Sequence, residues 1–223
     1  MIGKQLVFFA LSTLLAVASV RAEILVDHQP HPYGGLASDT LFNDPFGRPV
    51  WQRVADNFVL PNPAQAVSLR YWGFYDADNP PATETMRIRI YGSRAGDGLP
   101  DDANILSETT LQNPTRTATG RLVSTGHLPH EYLFDAGLAV PVDLDAGTAY
   151  WLEVAQIGDV ATSFRWEFSI DVQDGAATIN SIHDYWQDTF PGLGADAAFQ
   201  LISPEPCCLA LFGLGLFLRA RRR

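Results

Sequence analysis

Residues Phe164-Arg165-Trp166-Glu167-Phe168-Ser169-Ile170 alternate four apolar side chains with three polar ones. Successive side chains of a β-strand point to opposite faces, so this pattern puts the apolar four on one face and Arg165, Glu167 and Ser169 on the other. A slip of one residue would bury both charges, so the face assignment is strongly specified. The segment predicts a half-buried strand. The same period recurs in Met86-Arg87-Ile88-Arg89-Ile90. Val67, Leu69 and Tyr71 alternate with Ser68, Arg70 and Trp72, and Tyr150, Leu152 and Val154 alternate with Trp151, Glu153 and Ala155. Further strands are predicted at 24–27, 54–60, 131–135 and 196–202.

Turn chemistry separates these runs. Asp76-Ala77-Asp78-Asn79-Pro80-Pro81, Gly96-Asp97-Gly98-Leu99-Pro100-Asp101-Asp102 and Asp145-Ala146-Gly147 combine residues that fix backbone angles with residues that bond their own backbone. Segments 31–49 and 171–195 carry weaker patterning and read as long loops. No stretch of useful length has helical period. Many short strands without helical crossovers predict an all-β chain, an antiparallel β-sandwich.

The two ends differ from this middle. Lys4, an almost wholly apolar run from Leu6 to Val20, and Val20-Arg21-Ala22 follow the order of a secretory signal, with cleavage after Ala22. The expected organisation is therefore a signal peptide over 1–22 as an N-terminal helix, a β-sandwich domain over 23–203, and a tail over 204–223. The middle carries nine arginines and no lysine against 24 acidic residues, a net charge of −15. That balance argues against nucleic acid as a partner and against anionic membrane surfaces. Both cysteines, Cys207 and Cys208, lie in the tail, so the domain holds neither a disulfide nor a thiol site.

The tail begins Pro204-Glu205-Pro206, continues with the uncharged run Cys207–Leu218, and closes with Arg219, Arg221, Arg222 and Arg223. A helix of that run spans about 18 Å against a hydrocarbon core of about 30 Å. It therefore reads as a brief membrane stop whose arginines stay cytoplasmic. The order and spacing resemble the PEP-CTERM sorting signal of exported proteins in Gram-negative, often biofilm-forming bacteria. The resemblance implies an exosortase as processing partner after secretion, transient insertion in the inner membrane, and delivery to the cell surface or an exopolysaccharide matrix. Cys207 and Cys208 stand where that family usually has small or hydroxyl residues, which leaves the cleavage point near Cys207 open.

A second resemblance covers most of residues 50–202. Val54-Ala55-Asp56-Asn57-Phe58, Trp72-Gly73-Phe74, Ile88-Arg89-Ile90-Tyr91, Gly98-Leu99-Pro100, Gly147-Thr148-Ala149-Tyr150-Trp151-Leu152 and Asp196-Ala197-Ala198-Phe199 look like bacterial extracellular β-sandwich domains of jelly-roll-like form. This implies fold and exterior location and brings no catalytic residues.

Chemistry is sparse. His28 with His31 and His127 with His130 are three apart, but nearby prolines oppose helices there, and solvated loop histidines are expected. No G-x-S-x-G elbow surrounds Ser93. Acids are too numerous for any carboxylate pair to single out a glycosidase. Calcium is the cation that the oxygen-rich loops of Asp76, Asp78, Asp97, Asp101 and Asp102 would take, although neither matches EF-hand spacing. Trp72, Trp151, Tyr185 and Trp186 are candidates for stacking on sugars. The sequence thus predicts a non-catalytic surface or matrix protein that associates with exopolysaccharide or a cell-surface glycan and needs no cofactor. The alternatives are a carbohydrate-active hydrolase and a calcium-stabilised adhesin.

Overall fold

A computed structural model describes residues 22–43, 47–76, 78, 80–158, 162–169, 175–188 and 196–204. The expected signal helix, apart from Ala22, and the expected C-terminal helix lie outside these residues, as do Glu205, Pro206 and the terminal arginines. Among the described residues there is no helix. Ile24–Ser203 form one compact unit.

The described strands are β1 (Ile24–His28), β2 (Pro30–Ala37), β3 (Asp39–Asn43), β4 (Pro49–Val59), β5 (Ala64–Tyr75), β6 (Thr85–Ser93), β7 (Pro100–Gln112) and β8 (Thr115–Leu122). They continue with β9 (His130–Leu144), β10 (Ala149–Gln156), β11 (Phe164–Ser169), β12 (Ala176–Asn180), β13 (Gln187–Asp188), β14 (Asp196–Ala197) and β15 (Phe199–Ile202). They make two sheets. In the first, β5 is the hub: β9 runs along one edge, and β15 and then β11 share the other. β1 extends beyond β15, β2 and β14 flank β11, and β8 lies outside β9. The second runs β13-β12-β4-β10-β6-β7, with β3 sharing the β10 edge of β4. Pairing is antiparallel apart from the bridges Gln156–Asp39 and Leu60–Ala146.

The core lies between the sheets. Leu69, Tyr71, Phe134, Phe164, Trp166 and Phe199 of the first meet Val54, Phe58, Ile88, Ile90, Leu152 and Val154 of the second. These are the residues that the period-two pattern points inward. Tyr71 stacks on Phe134 with ring centroids 4.7 Å apart, and Phe164 meets both edge-on. The β-sandwich class expected from the alternation is therefore what the chain builds.

Three expectations need correction. Segments 31–49 and 171–195 are not simply long loops, since β2, β3, β12 and β13 lie within or across them. Pro30, Pro32, Gly34 and Gly35 mask β2. Proline is tolerated there because β2 has β11 as its partner among the described strands and leaves its other edge unladdered. Second, the stretch 196–202 is two short strands. Ala198 sits between them, where its N–H donates to Glu167 O and its carbonyl accepts from Trp72 N and Trp166 Nε1. Third, the polar faces are not solvated throughout. Glu167 and Glu153 are fully buried, and every residue from Tyr150 to Gln156 is buried. A second layer covers the outer faces at these points. On the β10 side it is an apolar cluster of Ala55, Tyr91, Trp151, Ala177, Ile179 and Trp186.

Candidate functional site

The aromatic candidates are mostly covered. Trp72, Trp151 and Trp186 are buried, while Tyr185 is exposed. Trp151 Nε1 donates to Gly98 O at 2.8 Å and Trp186 Nε1 to Asp102 Oδ2 at 3.1 Å. Arg53 lies 5.1 Å over the Trp186 ring and Tyr91 meets it edge-on. Trp151 and Trp186 belong to the apolar cluster on the outer face of the second sheet, and Trp72 is buried on β5 of the first, so none of the three presents an open ring for stacking.

The calcium candidates are likewise engaged. Asp76 takes a two-pronged bond from Arg165. Asp78 accepts from His130 N at 2.7 Å and faces His130 Nδ1 at 2.9 Å. Those bonds, the backbone one first, hold its carboxyl below the usual range. Asp97 is clasped by Arg94, and that bond lowers it too. Asp101 closes a local turn onto Ala103 N, and Asp101 and Asp102 begin β7 rather than sitting in a loop. Among the described residues no three His, Cys, Asp or Glu side chains gather as metal ligands.

A cavity of about 720 Å³ is lined by Asp76, Asp78, His127 and Arg165. Beside it in sequence and on the outer face of the first sheet lies an acid pair that the pattern did not reveal. Glu131 follows His130 on β9; Glu167 stands two residues beyond Arg165 on β11. Both are fully buried. Arg121 of β8 forks onto Glu131, with its Nε donating at 3.0 Å to one oxygen and Nη2 bonding the other. The loop after β8 reaches β2, where Ser124 N donates to Pro32 O. Neither oxygen of Glu167 finds a donor among the described residues, because it faces another acceptor, Glu131. Burial, then the adjacent Glu131, push the Glu167 carboxyl up to about 9. Glu167 is therefore protonated at neutral pH and donates to Glu131.

Three further buried acids have partners of their own. Glu153 receives Arg53 at 3.0 Å, Arg87 at 2.9 Å and the Tyr91 hydroxyl. Glu84 receives Arg116 at 2.9 Å and the Tyr75 hydroxyl; burial raises its carboxyl above the usual range. Asp56 lies in the core itself, with His28 Nδ1 and Ala197 N each 3.1 Å from Oδ2. Burial pushes Asp56 up to about 7 against the opposing pull of those partners. His28, expected as a solvated loop residue, is thus a buried strand residue. One signal was available: Asp56 shares strand parity with Val54 and Phe58, so the alternation already aimed it inward.

No family model matches the chain, and no curated protein matches it. Among solved structures, a CocE/NonD family hydrolase from Staphylococcus aureus is similar at 13% identity and a TM-score of 0.30. The match covers 82% of this chain and 37% of that one, so this chain spans little more than a third of that protein's length.

Proposed function

We propose that this is an exported, non-catalytic protein of jelly-roll-like β-sandwich form that works in the exopolysaccharide or cell-surface layer of a Gram-negative bacterium. A signal over 1–22 directs export. An exosortase then processes the tail near Pro204-Glu205-Pro206 while Arg219, Arg221, Arg222 and Arg223 hold it briefly in the inner membrane. The observation that carries the reading is the order of features in 204–223: the Pro-Glu-Pro triplet, an uncharged run, then arginines. The buried acids support a binding protein over a hydrolase. Glu84 and Glu153 are neutralised by arginines, and Glu131 and Glu167, the pair that would favour a carbohydrate-active hydrolase, have no solvent exposure through which a substrate could reach them.

The test is expression in an exosortase-bearing host. The mature protein should lack the tail by mass spectrometry and appear in the surface or matrix fraction. Removing Arg219–Arg223 should leave an unprocessed or mislocalised species. Unchanged mass and fractionation in that variant would overturn the reading. Reducing ends released from a polysaccharide by the purified protein would favour the hydrolase instead.

A further inference from the structure

We propose that the groove between the β3–β4 hairpin and the end of β12 is a binding site for a neutral saccharide, an inference that rests on the reading of a glycan-associated protein and gives it a location. The groove holds about 520 Å³ and is lined by Phe42, Arg48, Trp51, Gln52, Asn180 and Ile182 among others. That volume falls within the range of about 300–1,000 Å³ typical of small-ligand sites. Gln52 shares strand parity with Val54 and Asn180 with Ala176, so both stand on the core-facing side of the sheet where the groove opens.

The polar groups are oriented before any ligand arrives. Gln52 Nε2 donates to Ala37 O at 2.8 Å, which leaves its side-chain oxygen as an acceptor. Asn180 Oδ1 accepts from Ile182 N at 2.9 Å and His183 N at 3.1 Å, which leaves its NH₂ as a donor. Gln52 and Asn180 are direct cross-strand partners. Such pairs stand about 5 Å apart at Cβ. One fixed acceptor and one fixed donor at that spacing match two neighbouring hydroxyls, each of which both gives and takes a hydrogen bond.

The apolar wall has the matching form. Phe42 and Val50 are direct cross-strand partners, so they share the face of Gln52 and supply apolar residues to the lining. An aromatic ring offers a flat surface on which the C–H face of a sugar ring rests. Ile182 is 82% exposed at the rim. Arg48 in the lining already has an interaction partner within the protein, and the body's formal net charge of −15 repels polyanions, so a neutral ligand is favoured.

The experiment uses the full secreted chain, titrated by calorimetry and tryptophan fluorescence with cellohexaose, maltohexaose and xylohexaose, and with an oligogalacturonate as the anionic probe. At least one neutral hexasaccharide should bind and the anionic probe should not. Asn180→Asp keeps the oxygen that closes the turn but loses the donor, and should weaken binding about tenfold, the loss of one hydrogen bond. Ile182→Glu, at an exposed site, should weaken it to a similar degree, with both variants melting near the parent temperature. Wild-type binding that both variants retain would overturn the groove and leave glycan association standing at another site. Absence of neutral binding, or binding of the oligogalacturonate alone, would overturn the groove, while intact tail processing would leave the sorting assignment untouched.

Discussion

At the scale of single residues, the buried polar groups make the sharpest predictions. Glu167 keeps its proton in the folded protein up to about pH 9, whereas in the unfolded chain it ionises near 4.5. Between those values the native state binds more protons than the unfolded one, so stability falls as pH rises through that window. Below it both states are protonated and the effect vanishes. The accumulated loss by neutral pH is on the order of 3 kcal/mol. Glu167→Gln replaces the protonated acid with a permanent donor to Glu131. It should melt several degrees above the parent at pH 8 and converge with it near pH 4.5; equal melting temperatures at both would refute the shared proton. Tyr71 gives a second case. Its hydroxyl is buried and has no partner among the described residues. Tyr71→Phe keeps the stack on Phe134 and removes that unsatisfied group, and should raise the urea midpoint by roughly 1 kcal/mol of stability with unchanged slope. A lower midpoint would mean that the hydroxyl is bonded in solution. Part of this was legible in the alternation, which aimed Asp56 inward. Glu167 was not, because period two states which face a side chain occupies and not whether a second layer covers that face.

At the scale of elements, the inward residues of β5, β6, β10 and β11 followed directly from alternation, since a packed interface between two sheets enforces period two. β2 did not, because its glycines weaken strand propensity while serving a close approach. Gly35 is paired with Glu167 across to β11. A β-carbon at Gly35 would come within 3.0 Å of the Trp166 carbonyl oxygen and carbon, which are backbone and cannot swing aside. Gly35→Ala must therefore push β2 off β11 and should lower stability by roughly 2–4 kcal/mol, with faster amide exchange confined first to β2 and the Ser124–Pro32 contact. Gly96→Ala is a less direct control, since Gly96 has open space but a φ of +109°; its cost should come from backbone strain alone and leave β2 exchange unchanged. Exchange that rose equally across both sheets in Gly35→Ala would show that β2 is not a separable edge.

At the scale of the whole molecule, charge dominates. Among the described residues, Arg53, Arg70, Arg87, Arg89, Arg94, Arg116, Arg121 and Arg165 stand in ion pairs with carboxylates. These cations are committed, and acids outnumber arginines 24 to nine in 23–203. Self-repulsion of a body at −15 is long-ranged, whereas most of its exposed pairs are worth little each. Salt shortens the screening length from about 30 Å at 0.01 M to about 8 Å at 0.15 M. The repulsion is screened more than the contacts are, so sodium chloride should raise the melting temperature by a few degrees over that range. Calcium separates screening from a site. Asp76, Asp78, Asp97, Asp101 and Asp102 already bond Arg165, His130, Arg94, Ala103 N and Trp186, and a bound ion would have to displace those partners. At matched ionic strength, melting curves in calcium and sodium chloride should therefore coincide. A saturable rise specific to calcium, growing with the logarithm of its concentration above a dissociation constant, would mean that one of these turns opens to coordinate the ion, and the calcium-stabilised adhesin would replace a sandwich held by its own arginines.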